Sequence, residues 1–153
     1  KDDIEVIFSA DSSLAYADCF GDYYSTGLYM WGFYFMEFTA KVQLYIEVMC
    51  QSNELEIPTG VFSATDDKAS DGALLIGCVE EDVDGLYDAY SWYTQLATES
   101  QEAATAPIVD GVMNISYDEA SDTYRVTLDL KDDANNSITA RYEHRIILED
   151  FRI

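Results

Sequence analysis

Period-two alternation of apolar and polar positions dominates the chain and is clearest toward its C-terminus. Tyr124, Val126, Leu128 and Leu130 alternate with Arg125, Thr127 and Asp129, giving one apolar and one polar strand face. The run 132–137 (Asp-Asp-Ala-Asn-Asn-Ser) reads as a turn, because Asp and Asn bond their own main chain and tolerate left-handed backbone. Beyond it, Ile138, Ala140, Tyr142, His144, Ile146 and Leu148 share one face, with Thr139, Arg141, Glu143 and Arg145 on the other. Upstream, Met113, Ile115 and Tyr117 lead into the polar turn 118–122, so these segments predict an antiparallel meander.

The N-terminal half alternates in the same way. Ile4, Val6, Phe8 and Ala10 predict a first strand, and Leu14 to Phe20 a second that meets Gly21-Asp22. Residues 33–39 and 42–50 predict a hairpin with Val42, Leu44, Ile46 and Val48 facing inward. Pro58 and Gly60 mark a turn. Residues 73–80 predict a strand that ends in an acidic loop, and residues 86–96 predict an extended segment rich in Tyr and Trp. Residues 97–106 read as a loop or as one or two helical turns. Strands with turn signals every 8–14 residues imply a single all-β domain over residues 1–153. The expected form is an antiparallel meander closed into a β-barrel, with a β-sandwich as the alternative.

Composition narrows the partners. The 153 residues carry 8 basic and 30 acidic side chains, a formal charge of −22. Such a surface excludes nucleic acid and disfavours anionic membranes, both of which demand a basic stripe. No apolar run approaches the roughly 20 residues of a spanning helix, so membrane insertion by this chain is not expected. Before Arg125 only Lys1, Lys41 and Lys68 are basic, against 24 acids. Cys19, Cys50 and Cys78 lack zinc-ligand spacing, and their apolar surroundings predict at least one buried free thiol.

Three stretches carry a resemblance. They are residues 111–116, residues 122–133 and residues 136–142, supported by Phe20-Gly21-Asp22-Tyr23-Tyr24, Thr26-Gly27 and the run from Ile57 to Phe62. Together they resemble the closing meander and recurring turns of secreted lipoprotein domains from Bacteroides-type bacteria, whose layout is similar to lipocalin-like, calycin-type barrels. The resemblance implies export to the periplasm or cell surface, with a lipid anchor on a removed segment upstream. It supplies no catalytic motif.

Candidate chemistry follows from residue type. There is one histidine, His144, and no GxSxG, SxxK or HExxH pattern, so the chain reads as non-enzymatic. The sharper alternative pairs His144 with Glu37 inside the barrel for acid–base work. No cofactor is expected beyond a weak calcium site at Asp82, Asp84 and Asp88, where oxygen ligands alternate around Gly85. The aromatics are more informative: 12 Tyr, 7 Phe and 2 Trp. Tyr87, Tyr90, Trp92 and Tyr93 cluster in one segment, and Tyr24 and Trp31 belong to a second cluster. Gathered at a barrel mouth, these six would bind ligand by stacking. The expected function is therefore a binding module for a small apolar molecule or a glycan at a bacterial surface. A structural or protein-interaction domain without a cavity is the second reading.

Overall fold

The computed structural model describes residues 3–51 and 55–152. Among these residues there are thirteen strands and no helix. They are β1 (Ile4–Phe8), β2 (Ser13–Gly21), β3 (Tyr29–Glu37), β4 (Val42–Cys50), β5 (Gly60–Thr65), β6 (Ala73–Leu75) and β7 (Cys78–Asp82). The rest are β8 (Gly85–Ala89), β9 (Trp92–Gln95), β10 (Ala104–Asp118), β11 (Thr123–Asp132), β12 (Ser137–His144) and β13 (Ile147–Asp150). Lys1 lies outside the described residues.

Eleven strands form one curled sheet in the order β1-β12-β11-β10-β5-β6-β4-β3-β2-β13, with β9 bonded to both β10 and β4. The circuit β4-β9-β10-β5-β6 closes into a five-strand barrel. The all-β barrel expected from alternation is thus present, and it is not a sandwich. Its pairing is not wholly antiparallel. Among the described residues β1–β12, β5–β6 and β2–β13 are parallel. β12 and β13 are separated only by Arg145 and Ile146, so one segment of chain joins strands at opposite ends of the sheet.

Alternation decides what fills the interior. β3 turns Trp31, Phe33 and Phe35 inward, and β4 adds Leu44, Ile46 and Val48, all fully buried. Met113, Val126, Leu128, Leu130 and Tyr142 complete one continuous core from the C-terminal meander. Phe33 and Phe35 stack at 6.1 Å, and Phe35 meets Tyr142 at 5.6 Å. Side chains fill this interior, as expected for a barrel of few strands.

The expected boundaries fail in several places: the single strand expected over residues 138–148 breaks at Arg145-Ile146 into β12 and β13, which pair at different parts of the sheet. Residues 73–80 are two strands in different sheets, because the chain leaves the barrel at Ile76-Gly77. It returns through Tyr90, at φ 70°, and Ser91, which splits residues 86–96 into β8 and β9. Residues 97–103 contain no helical turn, and β10 begins at Ala104. The excursion 78–89 is a two-stranded hairpin, β7–β8, standing off the barrel.

Cys19 and Cys50 are buried and Cys78 is half-buried; all three are free thiols. Burial pushes the Cys50 thiol up to about 12, with Asp71 and Cys19 adding to the shift. Since the thiolate is the reactive form, a thiol reagent in native buffer should label Cys78 first. Cys19 and Cys50 should react only on denaturant unfolding, as followed by mass spectrometry. Equal native rates for all three would contradict this packing.

Candidate functional site

The barrel's outer surface carries the site. In β4 the alternation that sends Ile46 and Val48 inward sends Tyr45, Glu47 and Met49 outward. In β3 it leaves Met30, Gly32 and Tyr34 on the same face. Met30, Met49, Ala73 and Leu75 bury one another there, with Phe20, Tyr24, Leu28 and Tyr90 packed against them. This small second core fixes the rings of Tyr24 and Tyr90 against the sheet. Asp22 shapes the approach, because its carboxylate accepts the backbone N–H groups of Thr26 at 2.9 Å and Gly27 at 3.1 Å. The loop after β2 is thereby held, and Tyr23 and Tyr24 stand beside Phe20.

Gly32 lies opposite Glu47 in the β3–β4 register. A Cβ at position 32 would come within 2.6 Å of the Tyr45 hydroxyl and 2.8 Å of its ring. Lacking that atom, Gly32 lets the Tyr45 ring lie across the sheet and deliver its hydroxyl to Glu47. Tyr45 Oη donates to Glu47 Oε2 at 2.9 Å, and Tyr24 Oη donates to Glu47 Oε1 at 2.9 Å. Glu47 is only 8% exposed. Burial pushes its carboxyl above the ordinary range, against the opposing pull of the two hydroxyls and of Lys68. Both tyrosines are shifted upward by burial and then by Glu47 itself, so they remain neutral donors.

The β7–β8 hairpin forms the opposite wall. Glu80 accepts hydrogen bonds from Tyr90 at 2.8 Å and Tyr87 at 3.0 Å, and these hold its carboxyl below the ordinary value. Between the walls is an open hollow of about 300 Å³, with Glu47 on its floor and Phe20, Tyr23, Tyr24, Tyr87 and Tyr90 around it. A second hollow of about 760 Å³ shares Phe20 and Tyr23 and reaches Tyr29, Asp150 and Arg152. A third of about 360 Å³ shares Glu80 and Tyr90 and reaches Asp66 and Lys68. The three hollows adjoin through these shared side chains, and together they are called the groove.

The six aromatic residues singled out from the sequence divide. Tyr24, Tyr87 and Tyr90 converge on the central hollow. Trp31 is fully buried in the barrel core, because it shares a face with Phe33 and Phe35. Tyr93 is core too, paired with Leu44 across β4–β9. Trp92 lies opposite Tyr45, half-buried, its ring N–H donated to the Ala89 carbonyl at 2.8 Å, and it does not line the hollow. Phe20, Tyr45, Glu47 and Lys68 were not among the six. The face-sharing of Tyr45 and Glu47 in β4 was the signal for two of them.

The structure does not gather Asp82, Asp84 and Asp88 into one ligand group. Asp82 accepts the Asp84 N–H at 2.8 Å in the hairpin turn, whereas Asp88 sits down the strand opposite Val79. Among the described residues no group of three or more His, Cys, Asp and Glu side chains could hold a metal ion. Nor do His144 and Glu37 pair. Glu37 caps loops instead, accepting Ser12 Oγ at 2.8 Å and the backbone N–H groups of Thr39 at 2.7 Å, Ala40 at 3.1 Å and Ser9 at 3.3 Å. His144 lies in the meander opposite Tyr124.

No protein-family model, curated protein or solved structure matches the chain.

Proposed function

We propose that the protein is a non-enzymatic binding module for a glycan, acting outside the cytoplasm at a bacterial surface. The carrying observation is the convergence of partly exposed aromatic rings with fixed carboxylates along an open groove. Rings give a sugar's C–H faces large contact area for little lost side-chain entropy. Carboxylates held by tyrosine hydroxyls present preoriented acceptors to sugar hydroxyls. A series of adjoining hollows suits an oligomer better than a single compact molecule. A barrel interior filled by side chains disfavours a small apolar ligand, which would need an enclosed cavity, and it equally suits the second reading, an interaction domain without a cavity. Export and lipid anchoring rest on the resemblance of residues 111–116, 122–133 and 136–142 to secreted lipoprotein domains.

Isothermal titration against a panel of oligosaccharides, neutral and amine-bearing, tests this reading. At least one should bind saturably. Tyr87→Ala should then weaken it by roughly 1–3 kcal/mol, the range for truncating an anchoring ring. A panel that gives no saturable heat would contradict it. The second reading, a protein-interaction domain, is favoured by the apolar exposure of the β7–β8 hairpin, where Val79, Val83 and Leu86 face solvent. Under that reading the hairpin variant Val83→Ser, Leu86→Ser would lose a partner while leaving sugar titrations unchanged.

A further inference from the structure

We propose that the ring pair Tyr24–Tyr90 with Glu80 forms an ammonium site, filled in cis by Lys68, where an alkylammonium group of a ligand binds by displacing that lysine. The inference rests on the groove being the binding face and adds the chemical class of one unit of its ligand, an amine-bearing sugar.

The chain itself supplies the model ligand. Lys68 Nζ lies 4.5 Å from the Tyr90 ring centroid and 5.2 Å from that of Tyr24. Those two rings stand 6.3 Å apart and are tilted by 54°, so a cation between them meets two negative ring faces at once. Glu80 and Glu47 both add electrostatic attraction to the ammonium. Glu80 is fixed there by two tyrosine hydroxyls, and its carboxylate is already ionised at neutral pH. Asp88 lines the central hollow as well, and Asp66 the adjoining one. The site therefore carries more negative than positive charge even with Lys68 in place. An anionic ligand is repelled, and a cationic one is drawn in.

Lys68 is suited to yield. It lies on the turn between β5 and β6, half-buried rather than enclosed, on a long flexible stem. Ala69 N–H bonds back to Asp67 at 2.9 Å, which holds the turn without engaging the lysine side chain. Withdrawal of the ammonium into water leaves the rings and Glu80 in position, because Tyr24 and Tyr90 are packed on the buried cluster of Met30, Met49, Ala73 and Leu75.

The probes are tetramethylammonium chloride, glucosamine oligomers and the matching N-acetylated oligomers, titrated by NMR into the full chain at low salt. The wild-type protein should bind glucosamine oligomers at least about tenfold more tightly than N-acetylated ones, a ratio that falls as salt rises. Lys68→Met should tighten tetramethylammonium binding by about tenfold, because it removes the competing ammonium and its positive charge from between the rings. In that background Glu80→Gln should reverse the gain while circular dichroism stays unchanged. Equal binding of the amine and acetylated oligomers, or no gain in Lys68→Met, would overturn the inference and leave the glycan reading standing. Failure of every sugar with the tetramethylammonium response intact would instead overturn the glycan reading and keep the ammonium site.

Discussion

Replacing Asp18 with Asn is expected to stabilise the fold at pH 8 by about 2–4 kcal/mol and to flatten its dependence on pH. Asp18 is 7% exposed, and its Oδ1 has no hydrogen-bond partner among the described residues. The parallel register of β2 and β13 sets it directly opposite Glu149, while Tyr34 approaches from β3. Burial, followed by the Glu149 carboxyl, raises Asp18 from 3.8 to about 7, so Asp18 keeps its proton almost to neutrality. The sign follows from the folded state holding this proton more tightly than the unfolded one. Below about pH 4 both states are protonated and Asp18 costs nothing. Between about pH 4 and 7 the unfolded chain releases its proton freely while the folded chain does not, so stability falls as pH rises. Above about 7 the full penalty applies. An Asn at position 18 removes the titration and can donate to Glu149. Urea unfolding at pH 5 and pH 8 measures both effects. A wild-type protein equally stable at the two values, or a variant less stable than wild type at pH 8, would contradict this assignment.

Gly77→Ala is expected to cost about 2–3 kcal/mol and to loosen the groove wall. Gly77 and Ser91 meet at the base of the β7–β8 excursion. Gly77 N–H donates to the Ile108 carbonyl at 2.7 Å, and Ile108 N–H donates to the Ser91 carbonyl at 3.0 Å. A Cβ at position 77 would lie 2.1 Å from the Ser91 carbonyl oxygen and 3.2 Å from Ile108 N. Both are backbone atoms with no free end to swing away, so the strands must separate. Ser91 Oγ also accepts the Glu47 N–H at 3.1 Å, which ties the same junction to the groove floor. Thermal melts should show the loss of stability, and amide exchange in residues 78–90 should accelerate more than in β11. Unchanged exchange in the hairpin would contradict the role given to Gly77.

The strands that lay flat on one sheet were legible, because residue 126 must face the core if 124 and 128 do. β2, β4, β11 and β12 follow that rule along their length. Alternation says nothing of which sheet a strand belongs to, so the departure of the chain at Gly77 and its return at Ser91 were hidden within apparently continuous runs. β5 was missed because Gly60-Val61-Phe62-Ser63-Ala64-Thr65 buries only Phe62. The parallel contacts of β1 and β13 depend on partners more than 100 residues away, which no local pattern records. At the site, clustering in sequence correctly marked Tyr87 and Tyr90 as neighbours but could not separate them from Tyr93, which the kink at Tyr90 turns into the core. Trp31 was assigned by its proximity to other rings, although its parity with Phe33 and Phe35 pointed inward. Glu47 is the instructive omission. A carboxylate amid Ile46 and Val48 reads as a solvated face, and only the folded sheet brings the hydroxyl of Tyr24 across to it.

Backbone amide mapping by NMR, with an oligosaccharide that titrates saturably, tests the placement of the binding face most directly. The account predicts shifts confined to residues 20–24, 45, 47, 66–68 and 78–90 and their direct chain neighbours, with core positions such as Phe33, Leu128 and Leu130 unmoved. Shifts centred on the meander β10–β12, or spread through the barrel core as ligand enters it, would contradict a surface groove on the outer face of β2, β3 and β4.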